Sequence, residues 1–279
     1  MRKIAVASGK GGTGKTTFSV NFSLYLKNSG YNVILTDLDV EEPNSHLFFS
    51  LHSQIIPIEH YKPIHNPELC TYCGLCAKSC EFNALIAVNN YWRLFTEMCH
   101  GCTVCEQVCP ENAISPGRRN IGKIEISEEK NLKLVTGRLN IGETLSSEMI
   151  KQTKKYVENN FSSDVLIYDS PPGTTCPAVN SVLNCDFVLL IAEPTPFGFH
   201  DFKLMIDVLD KIDINPLIVI NKYEGYSELE KFCETKNLKI IGKIPFSKKI
   251  AEKYSKGETI LDDEQVVKIF DEIKSELSI

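Results

Sequence analysis

Short apolar runs alternate with longer segments of mixed polarity over most of the chain. The apolar runs have the length of buried strands, and several mixed segments repeat apolar residues at helical spacing. The predicted strands cover residues 3–7, 33–37, 165–169, 187–192, 217–220 and 240–244. The predicted helices cover residues 17–27, 143–159, 201–211 and 227–235. This alternation predicts an α/β fold with a doubly wound, mostly parallel sheet that helices cover on both faces.

One segment interrupts the alternation. Residues 58–116 contain eight cysteines and only two short strand candidates, at 85–88 and 92–95. Prolines mark both ends of the segment, at Pro57 and Pro116. We therefore predict a main domain formed by residues 1–57 and 117–279, with a small α+β domain inserted at 58–116.

The last helical pattern, at 265–277, carries an apolar face. Its members are Val266, Ile269, Phe270, Ile273 and Leu277. The opposite face contains three acidic residues and few lysines. This pattern favours packing against the main domain over binding to a membrane surface.

Composition narrows the classes of partner. The 279 residues are 43% hydrophobic and 24% charged, which is enough for a full core. A net charge of −6 argues against sequence-independent binding to nucleic acid, which needs Lys and Arg set against phosphates. No apolar run approaches the roughly 20 residues of a bilayer-spanning helix. No secretory leader precedes Lys3, so we expect a soluble protein in the reducing cytoplasm.

A glycine-rich loop, residues 9–16, separates the first strand from the first helix. Its sequence GKGGTGKT matches the phosphate-loop pattern G-x4-G-K-[ST] in the expected strand–loop–helix context. Backbone N–H groups of such a loop converge on phosphate oxygens, and the helix N-terminus favours negative charge. Lys15 would supply charge to the phosphates and Thr16 a hydroxyl to Mg²⁺. The residues predicted to bind the nucleotide here are Gly11, Gly12, Thr13, Gly14, Lys15, Thr16 and Thr17.

The inserted segment repeats one cysteine spacing, C-x2-C-x2-C-x3-C, twice. This spacing suits two [4Fe–4S] clusters, because short turns aim successive sulfurs at one centre and the fourth cysteine reaches the neighbouring cluster. The predicted ligands of the first cluster are Cys70, Cys73, Cys76 and Cys109, and those of the second are Cys99, Cys102, Cys105 and Cys80. The segment resembles two-cluster bacterial ferredoxins, although Glu81 replaces the proline that follows the fourth cysteine in that family.

Two other uses of these cysteines remain open. Paired Cys-x2-Cys units also bind zinc, although the third cysteine two residues further on suits tetrahedral zinc poorly. Disulfides are disfavoured by the expected reducing compartment.

The phosphate loop carries a second lysine, Lys10, which makes the motif K-G-G-x-G-K-T. This motif resembles the deviant Walker ATPases, which include MinD, the chromosome-partition ATPases, the nitrogenase iron protein and the Mrp-type cluster carriers. The resemblance implies ATP as nucleotide and a dimer of identical or related chains across two ATP sites. It also implies a catalytic role for Lys10, which would reach into the partner's site during phosphoryl transfer, as well as for Lys15. A solvated loop lysine is the alternative for Lys10.

Two strand ends extend the resemblance. The sequence Asp37-Leu-Asp39 is similar to the family's switch I, which implies that Asp39 orients the attacking water. Residues 169–174, DSPPGT, are similar to switch II, which implies that Asp169 lies near Mg²⁺ and that the Gly173 N–H senses the γ-phosphate. Aspartates at strand ends can also simply cap the following turn.

Two further strand ends, at Asn221 and Pro245, stand where the family contacts the adenine base. Both positions could equally be ordinary strand-to-loop transitions. Ser247 stands where the family often has aspartate.

Taken over its length, the chain is similar to MinD-like ATPases with an inserted ferredoxin domain. The resemblance implies an ATP-hydrolysing dimer that acts as a redox or cluster-handling ATPase. Our leading hypothesis is that it couples nucleotide-driven conformational change to electron transfer, through two [4Fe–4S] clusters, towards a redox partner protein. The alternatives are an iron–sulfur cluster carrier ATPase and a MinD-like regulator with structural clusters. If the loop after the second strand changes conformation with the bound nucleotide, the insert could be reoriented. The alternative is a slack linker, through which the insert would not follow that change.

Cys176 lies seven residues after Asp169, the interval that leads to a bridging-cluster cysteine in the nitrogenase iron protein. It is either a ligand of an additional cluster between two subunits or a plain or redox-reactive thiol.

Overall fold

The computed structural model describes residues 1–49, 54–225 and 228–279. Its strands are β1 (Arg2–Ala7), β2 (Val33–Asp37), β3 (Gln54–His65), β4 (Leu85–Val88), β5 (Tyr91–Leu94), β6 (Ile114–Glu129), β7 (Leu132–Leu139), β8 (Val165–Asp169), β9 (Phe187–Ala192), β10 (Leu217–Tyr223) and β11 (Ile240–Pro245). Its α-helices are α1 (Lys15–Asn28), α2 (Leu75–Lys78), α3 (Val104–Gln107), α4 (Ser146–Asn160), α5 (Cys176–Val182), α6 (Pro196–Lys211), α7 (Glu228–Lys236), α8 (Lys248–Ser255) and α9 (Glu264–Glu276).

Nine of the described strands form one sheet in the order β11-β10-β9-β1-β8-β2-β7-β6-β3. The seven strands from β11 to β7 run parallel, whereas β6 runs antiparallel to both of its neighbours. The predicted α/β fold with a large, mostly parallel sheet is therefore confirmed, and all six predicted strands belong to it. The predicted start of α7, residue 227, lies outside the described residues.

Alternation along the central strands sends side chains to two separate cores. Ile34 and Leu166 face the core under α4, α5, α6 and α7. Their neighbours Leu35 and Ile167 face the core under α1 and α9. Both faces of the sheet are therefore buried, which accounts for the nearly continuous apolar runs in the sequence.

Helix α6 begins five residues earlier than predicted. Pro196 occupies its first turn, and the Thr195 hydroxyl accepts a hydrogen bond of 3.1 Å from the Gly198 N–H. A threonine cap followed by proline is a strong start signal for a helix.

The C-terminal helix packs against the main domain, as its apolar face predicts. Val266, Phe270 and Ile273 are fully buried. The Phe270 ring meets the Phe18 ring of α1 edge-on, with 5.5 Å between the ring centroids. Such aromatic pairs add to the stabilisation that burial of their area provides.

The cysteine segment is joined to the sheet by continuous strands. Strands β3 and β6 pair from Gln54 opposite Ile126 to His65 opposite Ile114. Only the second half of β6, from Gly122 onwards, also pairs with β7, so the rest of the pair projects as a two-stranded ribbon. Residues 66–113 lie at its far end.

Both predicted domain boundaries therefore fall inside strands. Pro57 lies opposite Lys123, and Pro63 lies opposite Pro116. Proline is tolerated here because β3 is the edge strand of the sheet and its outer side forms no ladder hydrogen bonds. Over residues 54–65 and 114–126 the connection is a ribbon rather than a slack linker. The boundaries between the main domain and the inserted domain stay a prediction.

Within the described residues, no helix combines the length and apolar character needed to cross a membrane.

Candidate functional site

The phosphate loop lies between β1 and α1 and turns at glycines. Gly12 and Gly14 have φ angles of +78° and +90°, in the left-handed region that favours glycine. A Cβ atom at Gly14 would lie 2.2 Å from the Asn221 side-chain nitrogen. That nitrogen donates a hydrogen bond of 2.7 Å to the Thr13 carbonyl. Asn221, predicted to contact the base, therefore holds the loop from the end of β10.

Lys15 and Asp169 form the buried charged centre of the loop. The Lys15 ammonium lies 3.5 Å from one Asp169 carboxylate oxygen, and both side chains are almost completely buried. The same oxygen accepts a hydrogen bond of 3.0 Å from the Ser19 hydroxyl. The other oxygen of Asp169 is buried without a hydrogen-bond partner. An unsatisfied buried carboxylate oxygen suits a hard divalent cation such as Mg²⁺.

The two aspartates after β2 have different surroundings. The buried Asp37 carboxylate accepts hydrogen bonds from the backbone N–H groups of Asp39, Asn44 and Ser45, at 3.1, 3.0 and 2.9 Å. Burial, and secondly the charge of Asp169, raises the pKa of Asp37 well above its usual range. Asp37 therefore organises the loop that follows it.

Asp39 instead lines the cleft beside the phosphate loop. Burial raises the pKa of Asp39, and the nearby Lys15 opposes that shift. A partly exposed carboxylate in this position can accept a hydrogen bond from water that enters the cleft, which suits its predicted role.

Lys10 points towards a carboxylate of its own chain. Its ammonium lies 3.7 Å from a Glu193 carboxylate oxygen, and the Lys222 ammonium lies 3.2 Å from the same oxygen. Lys222 also donates to the Gly12 carbonyl at 3.0 Å. Two lysines thus share one glutamate at the mouth of the loop. The contact predicted between Lys10 and a partner chain stays a prediction.

The loop after β8 is tied to the end of β1. The Gly173 N–H, predicted to sense the γ-phosphate, donates to the Ser8 carbonyl at 3.1 Å, and Gly173 has a φ angle of +95°. The Leu38 N–H donates to the Asp169 carbonyl, so the loops after β2 and β8 are joined directly. Cys176 is exposed at the start of α5.

The phosphate loop, Asp39, Asn221 and Lys222 line one cleft of about 500 Å³, called the nucleotide cleft below. Its floor is the phosphate loop, and Asp39 lines one side. Pro245, Phe246, Ser247 and Tyr254 also line the cleft, and Pro245 is one of the two positions predicted to contact the base. The cleft therefore combines charged side chains suited to phosphates with aromatic side chains suited to a base.

The cysteine segment is an internal repeat with an offset of 29 residues. Helices α2 and α3 are equivalent, and so are the left-handed residue pairs Tyr72 and Gly101, Gly74 and Thr103, and Asn83 and Asn112. Each pair turns the backbone at the same point of the cysteine spacing. Four of these six residues are not glycine, although non-glycine residues seldom adopt the left-handed conformation. The repeated cysteine spacing therefore determines the tight path of the backbone.

The repeat brings the eight cysteines into two groups of four. Cys70, Cys73, Cys76 and Cys109 line the first cysteine cavity. Cys80, Cys99, Cys102 and Cys105 line the second cysteine cavity. Each cavity thus takes three cysteines from one motif and the fourth from the other. Among the described side chains, no three of Cys, His, Asp or Glu are spaced to hold one metal ion.

Backbone N–H groups already point at several of the sulfurs. The Ala84 N–H donates to Cys80 at 3.3 Å, and the equivalent Ala113 N–H donates to Cys109 at 3.2 Å. The Tyr72 N–H donates to Cys70 at 3.4 Å. Burial raises the pKa of the Cys105 thiol to about 11. Donors placed at sulfur stabilise the thiolate form that metal ligation requires.

His60 joins the second cysteine cavity to the main domain. Its Nε2 lies 3.1 Å from the His100 carbonyl, and its Nδ1 lies 3.6 Å from a Glu148 carboxylate oxygen on α4. The Tyr61 hydroxyl donates to the Glu106 carboxylate at 2.8 Å. The Thr144 hydroxyl donates to the Glu97 carbonyl at 2.9 Å. The ribbon is therefore fixed to α4 through His60, and the Thr144–Glu97 contact joins the cysteine segment to the main domain beyond the ribbon.

Sequence reasoning did not identify His60, Glu148, His65 or Trp92. They lie far apart along the chain and belong to no motif. The ribbon brings His65 to Trp92 of β5 at the first cavity and brings His60 to Glu148 of α4. The one available signal was the single tryptophan, placed between the two cysteine motifs.

Comparison with known proteins gives the family. A family model, the CobQ/CobB/MinD/ParA nucleotide binding domain, matches residues 4–260. An uncharacterized protein of Methanocaldococcus jannaschii is 34% identical over 267 residues, which cover 94% of this chain and 92% of that protein. An iron–sulfur cluster carrier protein of Aquifex aeolicus is 26% identical, over 99% of this chain and 66% of its own length.

Among solved structures, the septum site-determining protein MinD of Pyrococcus horikoshii OT3, complexed with Mg-ADP, has the same fold. The TM-score is 0.60 at 18% identity, and the match covers 99% of this chain and 95% of that one. Together with the phosphate loop and the nucleotide cleft, the family match shows that the chain belongs to the CobQ/CobB/MinD/ParA family of nucleotide-binding domains, as a P-loop ATPase of the MinD/ParA type.

Proposed function

We propose that the protein is an ATP-hydrolysing dimer in which the nucleotide state controls electron transfer through two [4Fe–4S] clusters. One observation carries the proposal. The eight cysteines meet as two groups of four at the end of a ribbon that continues the nucleotide-binding sheet. A rigid connection of this kind lets a change at the nucleotide cleft move the cysteine groups.

The nucleotide chemistry follows from the charged centre of the cleft. Lys15 and the loop N–H groups bind the phosphates, and Thr16 with Asp169 holds Mg²⁺, which neutralises charge on the phosphates when it is bound. Asp39 orients the attacking water, and Gly173 responds to the γ-phosphate. The unpartnered oxygen of Asp169 supports this assignment of the metal site. The Mg-ADP complex of the MinD relative supports it as well.

The cysteine groups suit the two clusters of a ferredoxin-like insert. Exchange of the fourth cysteine between the two motifs is the arrangement of two-cluster ferredoxins, and both cavities have it. The clusters supply one-electron carriers when they are bound. The chain's own residues supply thiolates, the N–H donors of Ala84 and Ala113, and a largely apolar enclosure.

A test is an anaerobic EPR redox titration of the purified protein with iron and sulfide counts, run with and without a non-hydrolysable ATP analogue. The proposal predicts two cubane signals, at least one of which changes its potential by tens of millivolts on nucleotide binding. Each 30 mV corresponds to about 0.7 kcal/mol for one electron. Full iron content with unmoved potentials would contradict energetic coupling between nucleotide and clusters.

Iron–sulfur cluster delivery is the second candidate. The relative from Aquifex aeolicus carries the name of a cluster carrier protein, and Cys73 and Cys102 are exposed to solvent. Exposed ligands can be attacked and released by an acceptor protein. Rapid, ATP-dependent loss of iron to an apo-ferredoxin would favour delivery, whereas retention of both clusters during turnover would favour electron transfer.

A further inference from the structure

The two cysteine cavities differ in the side chains that complete their walls. His65 and Trp92 line the first cavity. Tyr61, Pro63 and Phe82 line the second. The backbone of the repeat is the same in both, and the donors from Ala84 and Ala113 are matched. The asymmetry between the cavities therefore lies in side chains.

His65 and Trp92 form a stacked pair with two unused polar atoms. The rings lie 4.5 Å apart at an angle of 9°. The Trp92 indole nitrogen and the His65 Nε2 are both buried, and neither forms a hydrogen bond of good geometry, although the indole N–H lies near the Cys76 thiol. A buried N–H without an acceptor costs on the order of 1–3 kcal/mol, so its retention calls for an explanation.

The repeat shows that the cysteine arrangement does not itself require these two residues. At the offset of 29 residues, Trp92 corresponds to Pro63, and His65 corresponds to Leu94. Neither Pro63 nor Leu94 carries a side-chain N–H group. The first cavity therefore has nitrogen atoms at two positions that are apolar in the other half of the repeat, where Pro63 lines the second cavity.

We infer that His65 and Trp92 donate hydrogen bonds to the sulfur atoms of the cluster held in the first cavity and give it the higher reduction potential of the two. The inference rests on the proposed function. Reduction adds negative charge to the cluster sulfurs, and hydrogen-bond donors stabilise that charge. The second cavity lies next to His60 and Tyr61 at the base of the ribbon. An electron shared by the pair then rests in the first cavity, apart from the contacts that His60 and Tyr61 make beside the second.

The test compares Trp92→Phe and His65→Phe with the wild type by anaerobic EPR redox titration and iron counting. Each substitution keeps an aromatic ring in the stack and removes the nitrogen. Loss of one hydrogen bond should lower the reduction potential of the cluster by about 59 mV for one electron. At a fixed potential this raises the ratio of oxidised to reduced cluster about tenfold. The affected cluster should be the one that Cys70→Ser abolishes, and the other should keep its potential.

Phe82→Leu is the matched control, because it alters the wall of the second cavity and leaves both nitrogens in place. It should not change the potential of the first cluster. Full iron content with no shift in either variant, or equal shifts of both clusters, would overturn the inference and leave the proposed clusters standing. A wild type that binds no iron after reconstitution would overturn the proposed function itself. The His65 variant keeps the test decisive if the Trp92 variant fails to fold.

Discussion

The Ser146 hydroxyl donates a hydrogen bond to the Glu41 carboxylate and thereby joins α4 to the loop that carries Asp39. Two residues further along α4, Glu148 contacts His60, which in turn contacts the His100 carbonyl beside the second cysteine cavity. These contacts form a continuous path from the nucleotide cleft to the cysteine segment. We predict that this path couples the nucleotide state to the potential of the clusters.

Ser146→Ala should weaken that coupling. The variant removes the hydrogen bond to the Glu41 carboxylate, a class of bond worth about 1.5–3 kcal/mol, so α4 should no longer follow the loop. We expect the nucleotide-induced shift of cluster potential to fall to less than half of its wild-type size, with ATP affinity nearly unchanged. EPR titration with and without the ATP analogue measures the first quantity and equilibrium binding the second.

Ser147→Ala is the control for this prediction, because it changes the adjacent residue and keeps the Ser146 hydroxyl. A Ser146→Ala protein with the full nucleotide-induced shift would exclude this path. Coupling would then have to run through the loop after β8 or through the ribbon alone.

The pair of His60 and Glu148 should make stability depend on pH in a defined window. The His60 hydrogen bond lowers the pKa of Glu148 to about 2, from 4.5, and Glu148 raises the pKa of His60 above 6.5. The carboxylate's contribution is present above about pH 4.5 and is lost as the pH falls towards 2. The imidazolium's contribution is present below pH 6.5 and is lost as the pH rises through the raised pKa.

The stabilisation from this pair should therefore be greatest between about pH 4.5 and 6.5. Because both groups are partly exposed, we expect about 1 kcal/mol at most. The measurement is the free energy of unfolding in urea against pH for the wild type and Glu148→Gln, whose difference should be bell-shaped. Glu128→Gln, which breaks a surface contact with Lys133, serves as control. A difference independent of pH would show that the two groups are not linked by charge.

Each predicted cluster takes its fourth cysteine from the other motif, and this determines which EPR signal each cysteine substitution should abolish. Cys109→Ser and Cys70→Ser should abolish the same EPR signal, although the two residues belong to different motifs. Cys80→Ser and Cys99→Ser should abolish the other signal. Each substitution should lower the iron content from about eight to about four atoms per chain. If Cys109→Ser and Cys99→Ser removed the same signal, each motif would bind its own metal centre.

Cys176→Ser extends this series to the thiol after the loop that carries Asp169. Iron above two cubanes per chain in the wild type, lost in this variant, would show an additional cluster between subunits. An unchanged iron count would leave Cys176 as a thiol without a ligand role.

The fold was largely predictable because the parallel strands are buried on both faces. Runs such as Phe187–Ala192 are continuously apolar for that reason. The polar residues that follow the strands mark the nucleotide cleft. Strand β7 was missed because LKLVTGRL mixes charges and a glycine into an apolar pattern. Gly137 is required there, since a Cβ atom would lie 2.8 Å from the Thr153 hydroxyl of α4.

The ribbon was missed for a different reason. Strand β3 contains two prolines, and β6 has Pro116 and Gly117 as its third and fourth residues, which normally indicate loops. Pairing between the strands, together with the free edge of β3, overrides that local signal. The ribbon places His60 against Glu148 of α4 and His65 against Trp92. No sequence pattern could identify these contacts in advance.

The role of Lys10 can be tested by mixing two inactive variants. In the described chain Lys10 lies near Glu193, and the proposed dimer requires it to leave that contact and enter the partner's cleft. A residue that acts in this way contributes about 10³–10⁵ in rate. Lys10→Ala should therefore bind ATP but hydrolyse it at least 10³-fold more slowly. Asp39→Ala should do the same, because it cannot orient the attacking water.

A dimer with one chain of each variant would contain one complete site. The Lys10→Ala chain keeps Asp39, and its Asp39→Ala partner provides Lys10. If Lys10 acts across the dimer, an equimolar mixture should recover about a quarter of the wild-type rate, since half of the dimers are mixed and each has one of two sites intact. If Lys10 acts within its own chain, no combination restores a complete site. The mixture would then stay as inactive as either variant alone, and the proposed contact between subunits would be wrong.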